Sequence, residues 1–425
     1  MLRPEPPCAR ADVDRAAPSS GESAVGHSIM YRKIAVDELQ FGKYVAELDR
    51  PWTDTPFVFQ GFVLSTEEQL ATLKRFCKHV YIDPERDQSD DARLPASPPL
   101  LVRGKVTYRE VVSVQAELPQ AHAAYGEMSS ALDDAMNTVQ SGKVIEGPRV
   151  RAAVSQLTDS VVRNPDAVTL LTKLREKGSL GIALESSIYM VVFARFLQLP
   201  RDRLELLGLA GLLQNVGMTK LPPGLVEKSA PLTPAEMEIV KTHVQHTVEI
   251  LSATTGLPDE LPGIASLHHE RLDGSGYPRG LRKSAAVGLY GGIAGIVDTF
   301  TALTSHRTYA DQAAPSTALN VLYKGRGTLF EPALVEQFIQ CIGVFPVGGV
   351  VELNTGEIGI VVAQNPLRRL LPRVMVVRDA RGDPIQPHKL LDLERTPMAT
   401  RDEPYRIRRT LEHGAVQIDP REFFL

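Results

Sequence analysis

Residues 182–199, IALESSIYMVVFARFLQL, are apolar around almost the whole circumference of a helix. A helix of that kind has no face to give to water, so other elements must surround it, and it belongs at the centre of a bundle. The flanking chain supplies those elements. YGEMSSALDDAMNTV (125–139) and VRAAVSQLTDSVV (150–162) are amphipathic at helical spacing. DRLELLGLAGLLQNVGM (202–218), TPAEMEIVKTHVQHTVEIL (233–251) and GLYGGIAGIVDTFTALTS (288–305) continue the pattern, with Pro234 marking a helix start. Residues 105–341 therefore predict an all-α bundle, and they carry no strand signal.

The flanks read differently. Residues 1–29 are rich in Ala, Pro, Ser and Gly without periodicity, the texture of a disordered tail, and Met30 is a second candidate start. Residues 30–84 predict a small α+β domain. It has strands at Tyr44–Leu48 and Phe57–Val63, a helix capped by Ser65 with Glu68 and running to about His79, and a closing strand at VYID. Residues 85–104, a turn-rich mix of Pro, Asp, Ser and Arg, read as a linker. Residues 342–425 predict a small β appendage with strands in VVEL, IGIVVAQN and PRVMVVRDARGD, while TPMATRDEPYRIRRT reads as a loose tail.

Composition excludes several function classes. A net charge of -4 gives no electrostatic case for a nucleic-acid polymer or an anionic membrane. Three cysteines, Cys8, Cys77 and Cys341, fit a reducing cytoplasm and not a disulfide scaffold. The apolar stretches 182–199 and 287–303 contain Glu185, Arg195 and Asp298, so they read as buried helices and no membrane span is expected.

The strongest local signal is HHERLDGSGYP, His268 to Pro278. Two adjacent histidines and an acid precede a turn that Gly274 and Gly276 allow to be tight, and Tyr277 and Pro278 predict a stiff exposed tip. A His-His pair alone is more often a helix end than a metal site, but the full string resembles the HD-GYP domain, a bacterial subgroup of the HD phosphohydrolases. The likeness extends over about residues 150–340. VDTFTALTSHRTY (297–309), KTHVQHTVEIL (241–251) and LGLAGLLQNVGMTKLP (207–222) are similar to further motifs of that family. KIAVDELQFGKYVAELDRPWTDTPFVFQGF (33–62) is similar to a small domain found before HD-GYP domains. The resemblance implies a mainly α chain: an HD-type helical bundle with the α+β domain before it and the β appendage after it.

The same resemblance implies hydrolysis of cyclic di-GMP by two or three Fe or Mn ions, which activate water and neutralise the phosphodiester. Carried over residue by residue, His243, His268, His269 and Asp298 match ligands of that centre. The first-helix ligand falls at Ile182, expected to be buried, and the central His-Asp pair falls at Gln214 and Asn215. Ile182 has no lone pair to give. Neutral amides are poor ligands for Fe or Mn, and losing the bridging Asp removes the charge that offsets repulsion between two dications. Met218 stands where the family has a phosphate-facing Lys, with Lys220 aimed elsewhere; Ala310 replaces a second basic residue, and Thr301 replaces an Asp. Arg307 remains to grip a phosphate or to close a helix-end ion pair.

The residues left are a set for no ion or one divalent ion. The favoured reading is a catalytically inactive HD-GYP protein of cyclic di-GMP signalling, cytoplasmic, contacting other signalling proteins through Gly276, Tyr277 and Pro278. Three readings stand beside it: a working phosphodiesterase that tolerates the substitutions, a protein that binds cyclic di-GMP without hydrolysing it, and a scaffold that forms a homodimer through its helices.

Overall fold

The structure is a computed structural model that describes residues 32–50, 55, 62–64, 67–82, 103–174, 180–226, 228, 230–305, 313, 315–343, 345–365, 371–401 and 403–411. The expected tail 1–29, the Ser65 and Glu68 cap and most of the expected strand 57–63 lie outside these residues or their described side chains. The described chain falls into two compact units.

The first unit is a four-stranded antiparallel sheet with one helix. Its strands are β1 (Arg32–Ala35), β2 (Tyr44–Leu48), β3 (Phe62–Val63) and β4 (His79–Ile82), in the order β1-β4-β2-β3, and α1 spans Glu67–Phe76. Val45, Leu48, Phe62, Leu73, Val80 and Ile82 close its core. The helix ends at Phe76, short of the His79 expected from sequence, because His79 already pairs with Ala35 in the sheet.

The second unit begins with helices. In chain order they are α2 (Val114–Gln140), α3 (Gly147–Arg163), α4 (Pro165–Leu174), α5 (Gly181–Phe196), α6 (Arg201–Leu213), α7 (Pro223–Val226) and α8 (Pro234–Lys241). Then come α9 (His243–Ala253), α10 (Leu261–Ala265), α11 (Ser284–Thr304), α12 (Pro315–Lys324) and α13 (Pro332–Ile342). Among the described residues of this stretch the only β pairings are isolated bridges such as Asp273–Arg282.

The all-round apolar helix is α5, and it is central: α3, α4, α6, α11 and α13 all pack against it. Its tightest partner is α6. Gly208 and Gly211 permit the approach, since a methyl at Gly211 would stand 2.6 Å from the Ser186 carbonyl oxygen. Tyr189, Phe193, Phe300 and Phe338 join α5, α11 and α13 through edge-to-face contacts. One described helix, α11, is long and apolar enough to cross a membrane, yet 61% of its apolar window is buried in this unit.

A five-stranded antiparallel sheet completes the unit: β5 (Val350–Leu353), β6 (Ile358–Ala363), β7 (Arg373–Arg378), β8 (Pro384–Asp392) and β9 (Ile407–Thr410), in the order β8-β7-β6-β5-β9. It touches the bundle where the backbone N–H of Gln364 donates to Asp166 Oδ2 at 2.9 Å. The expected loose tail is corrected here, because its end is strand β9. Ile407 and Arg409 pair with Leu353 and Glu352, and Arg408 and Arg409 hold the Glu352 carboxylate at 3.0 and 2.6 Å. An edge strand faces water, so its residues are polar and show no alternation to read.

Candidate metal centre

Two segments deliver the three histidines. Helix α9 begins at His243, and His268 and His269 follow α10. The capping box before α8, in which Thr233 Oγ1 accepts from the Glu236 N–H and Glu236 accepts from the Thr233 N–H, fixes where that helical segment starts. Thr247 ties α9 to the turn after α6: its hydroxyl donates to the Gln214 carbonyl and accepts from the Gly217 N–H.

His243 and His268 are fully buried and His269 almost so. Each offers a ring nitrogen, and the three nitrogens lie within 4.8 Å of one another. The Nδ1–H of His243 donates to the Val240 carbonyl at 2.7 Å, and that of His268 to the Ala265 carbonyl at 2.6 Å. Both rings therefore turn Nε2 inward, where the two atoms meet at 3.4 Å. Burial pushes all three imidazoles down, His243 to about 3, His268 to about 4 and His269 well below the ordinary range. At neutral pH they are unprotonated donors of lone pairs facing one another, and the buried Nε2 of His269 has no partner. That donor set fits one divalent ion, for which neutral imidazole with its second nitrogen tied to an acceptor is the usual ligand.

The residues do not fit a two-metal centre. Gln214, fully buried, and Asn215, at the C-terminal end of α6, turn their amides on Asp298: Gln214 Nε2 donates to Asp298 Oδ1 at 3.1 Å and Asn215 Nδ2 donates to the same oxygen at 3.2 Å. Asp298 is thus drawn into a hydrogen-bonded cluster, with its other oxygen 3.9 Å from His269 Nδ1. Ile182 lies in the first turn of α5 and is half-buried, not buried as expected, because a helix entering the bundle leaves its first turn partly in solvent. Met218 is half-buried in the 3-10 turn Val216–Lys220, and Lys220 donates to the Val139 carbonyl on α2. Thr301 is buried and bonded to Ser186. Arg307 and Ala310 lie outside the described residues.

The GYP turn is built on a residue to which sequence reasoning gave no role. Glu270 is buried, and its carboxylate accepts from the backbone N–H groups of Arg279 and Leu281, both at 2.8 Å. Gly276 is required because a methyl there would sit 2.3 Å from the Arg271 nitrogen. Arg271 was also missed. Its guanidinium donates to the His268 and Glu270 carbonyls and stacks over Phe330 at 4.9 Å. Its only sequence signal is its place directly after the His-His-Glu run. Tyr277 is not the exposed tip expected from sequence. It is half-buried, its ring stacked on His269 at 4.5 Å, and the exposed residues of the turn are Asp273, Ser275, Pro278 and Arg279.

Residues 168–334 match the family model of the HD domain, residues 350–399 match a KOW domain associated with HD domain, and residues 31–149 match a domain of unknown function, DUF3391. The chain is 28% identical to a cyclic di-GMP phosphodiesterase of Pseudomonas aeruginosa over 86% of its own length and 90% of that protein's. It is 28% identical to a cyclic di-GMP phosphodiesterase response regulator of Xanthomonas campestris, over 45% of this chain and 51% of that one. Among solved structures, an HDG"Y"P protein from Bdellovibrio bacteriovorus aligns with a TM-score of 0.44 at 14% identity, covering 73% of this chain and 98% of that one. Residues 168–334 therefore carry an HD domain, and the complete HHERLDGSGYP turn lies inside it.

Proposed function

We propose that this chain acts in cyclic di-GMP signalling as an HD-GYP protein that has given up two-metal hydrolysis and keeps a one-ion site on His243, His268 and His269. The observation that carries this reading is the pair of amides on Asp298. Gln214 and Asn215 place N–H donors, which repel cations, where a two-metal centre needs lone pairs. An ion held by the three histidines would supply a Lewis acid with an open coordination position. The exposed Pro278 and Arg279 beside it are the surface for a signalling partner or for the nucleotide's phosphates. No described helix points to a membrane-bound role, since α11 is largely buried.

The test is the metal content and activity of the full chain purified under low oxygen. The expected result is at most one Fe or Mn per chain and no conversion of cyclic di-GMP. Combining Ile182→His, Gln214→His, Asn215→Asp and Met218→Lys should raise the metal content above one. Two ions in the unaltered protein, or turnover that disappears in Asp298→Ala, would overturn the reading. A second reading, hydrolysis through the single ion, draws on the convergent histidines and on the Pseudomonas relative's name. Metal-dependent turnover that is lost in His268→Ala but kept in Asp298→Asn would establish it.

A further inference from the structure

Lys241 stands at the edge of the histidine cluster. Helix α8 ends at Lys241 and α9 begins at His243, with Thr242 alone between them. The Lys241 ammonium lies over the Tyr277 ring, 5.5 Å from its centre, and the same ring is stacked on His269 at 4.5 Å. One aromatic ring thus joins the ammonium to the histidines. Two other cations of this region, Lys220 and Arg271, are committed to backbone carbonyls: Lys220 to that of Val139, Arg271 to those of His268 and Glu270. Lys241 differs. Its ion-pair partner is Glu238, three residues earlier at 2.7 Å, and the Glu238 side chain is 72% exposed. An exposed pair of this kind is weakly held in water, whereas a cation is attracted to an aromatic face without any counter-ion. The ammonium can therefore leave Glu238 for another anion without leaving the ring.

Two carboxylates stand by the histidines: Asp298, 3.9 Å from His269 Nδ1, and Glu270, the next residue in the chain. An anionic ligand at the cluster meets that negative charge and needs a cation within reach to offset it. A lysine meets a phosphate as a mobile point charge on a flexible stem. We propose that Lys241 is a binding residue for a phosphodiester: its ammonium exchanges Glu238 for a phosphate oxygen when a cyclic dinucleotide occupies the histidine cluster, and Tyr277 holds it in place in both states. This role rests on the nucleotide reading above. Glu238 and the nucleotide then compete for one ammonium.

Calorimetric binding of cyclic di-GMP to the full chain loaded with Co²⁺ tests it. Lys241→Met should weaken binding about 10-fold or more, as expected for a lost hydrogen bond to a charged group, and Lys241→Arg should keep most of the affinity. Glu238→Gln should tighten binding by about 2- to 5-fold, because the competing carboxylate is gone. A lysine that only braced Tyr277 would give no such gain. Unchanged or weaker binding in Glu238→Gln therefore overturns the proposal, and does so even if Lys241→Met fails to fold. Full nucleotide affinity in folded Lys241→Met overturns it as well. The affinity for Co²⁺ alone should be equal in wild type and Lys241→Met; equal losses of ion and nucleotide would make Lys241 a brace for the histidines and sink its role in recognition. A wild type that binds no cyclic di-GMP defeats the nucleotide reading itself, and Lys241 with it. A wild type that binds the nucleotide but no Co²⁺ defeats the one-ion reading alone, and the same variants measured in chelator then decide the role of Lys241.

Discussion

Tyr277 covers the histidines from one side: its ring lies on His269 at an interplanar angle of 26°, with the Lys241 ammonium 5.5 Å from its centre. The turn that carries it is held by Glu270, which satisfies two backbone donors that would otherwise be stranded in a half-buried loop. Tyr277 therefore has a structural role besides any contact with a partner. Tyr277→Ala should destabilise the protein by about 1 kcal/mol or more, the worth of an aromatic pair beyond its buried area, whereas Tyr277→Phe keeps the ring and should be close to neutral. Denaturant unfolding measures both. Equal stability of Tyr277→Ala and wild type would return Tyr277 to the role of a purely external contact.

At the scale of elements, two features decide where the site residues stand. One is the close crossing of α5 and α6, which brings the end of α6, with Gln214 and Asn215, against the core. Gly211→Ala adds a methyl against the Ser186 backbone, and overpacking of this kind costs about 1–3 kcal/mol. Gly224→Ala, in α7 with nothing within 4 Å of the added carbon, is the matched control and should be neutral or slightly stabilising in thermal unfolding. The other feature is the cap of α8. The Lys228 ammonium, and then the Thr233 N–H, bring the Glu236 carboxyl down to about 2 from its ordinary 4.5. As the pH falls the unfolded chain takes up this proton first, so the cap's contribution is whole above about pH 4.5 and is lost as the pH falls toward 2. The stability difference between wild type and Glu236→Gln should close across that window in acid titrations; a difference that persists at pH 2 would contradict the assignment. Thr233→Ala, which removes the other half of the box, should cost about 1 kcal/mol at neutral pH.

In the whole molecule, the sheet after the bundle is part of the same compact unit as the helices. Its last strand, β9, covers the edge of β5, and Glu352 anchors it with two arginines. A chain ending at Arg406 should therefore unfold at a lower temperature than one ending at Leu411, and it should associate more readily because the β5 edge is opened. Calorimetry and light scattering would read the two effects, and identical behaviour of the two chains would make β9 dispensable. The N-terminal unit has its own closed core around Val45, Leu73 and Val80, so these truncations should leave it folded.

By itself the sequence determined the helical frame and the inventory of the site. The nearly continuous apolar surface of 182–199 calls for a buried central helix, and the side chains of Ile182, Gln214 and Asn215 are by their own chemistry no strong ligands for Fe or Mn. These are properties of side-chain chemistry and local period, which a linear chain displays directly. Only the tertiary structure decided what the remaining groups do to one another. That two amides turn on Asp298, that Tyr277 folds back on His269, that Glu270 holds the GYP turn and that a polar tail closes a sheet edge all depend on contacts between distant residues. Their directions are set by packing and by backbone hydrogen bonds, and neither leaves a periodic mark in the sequence.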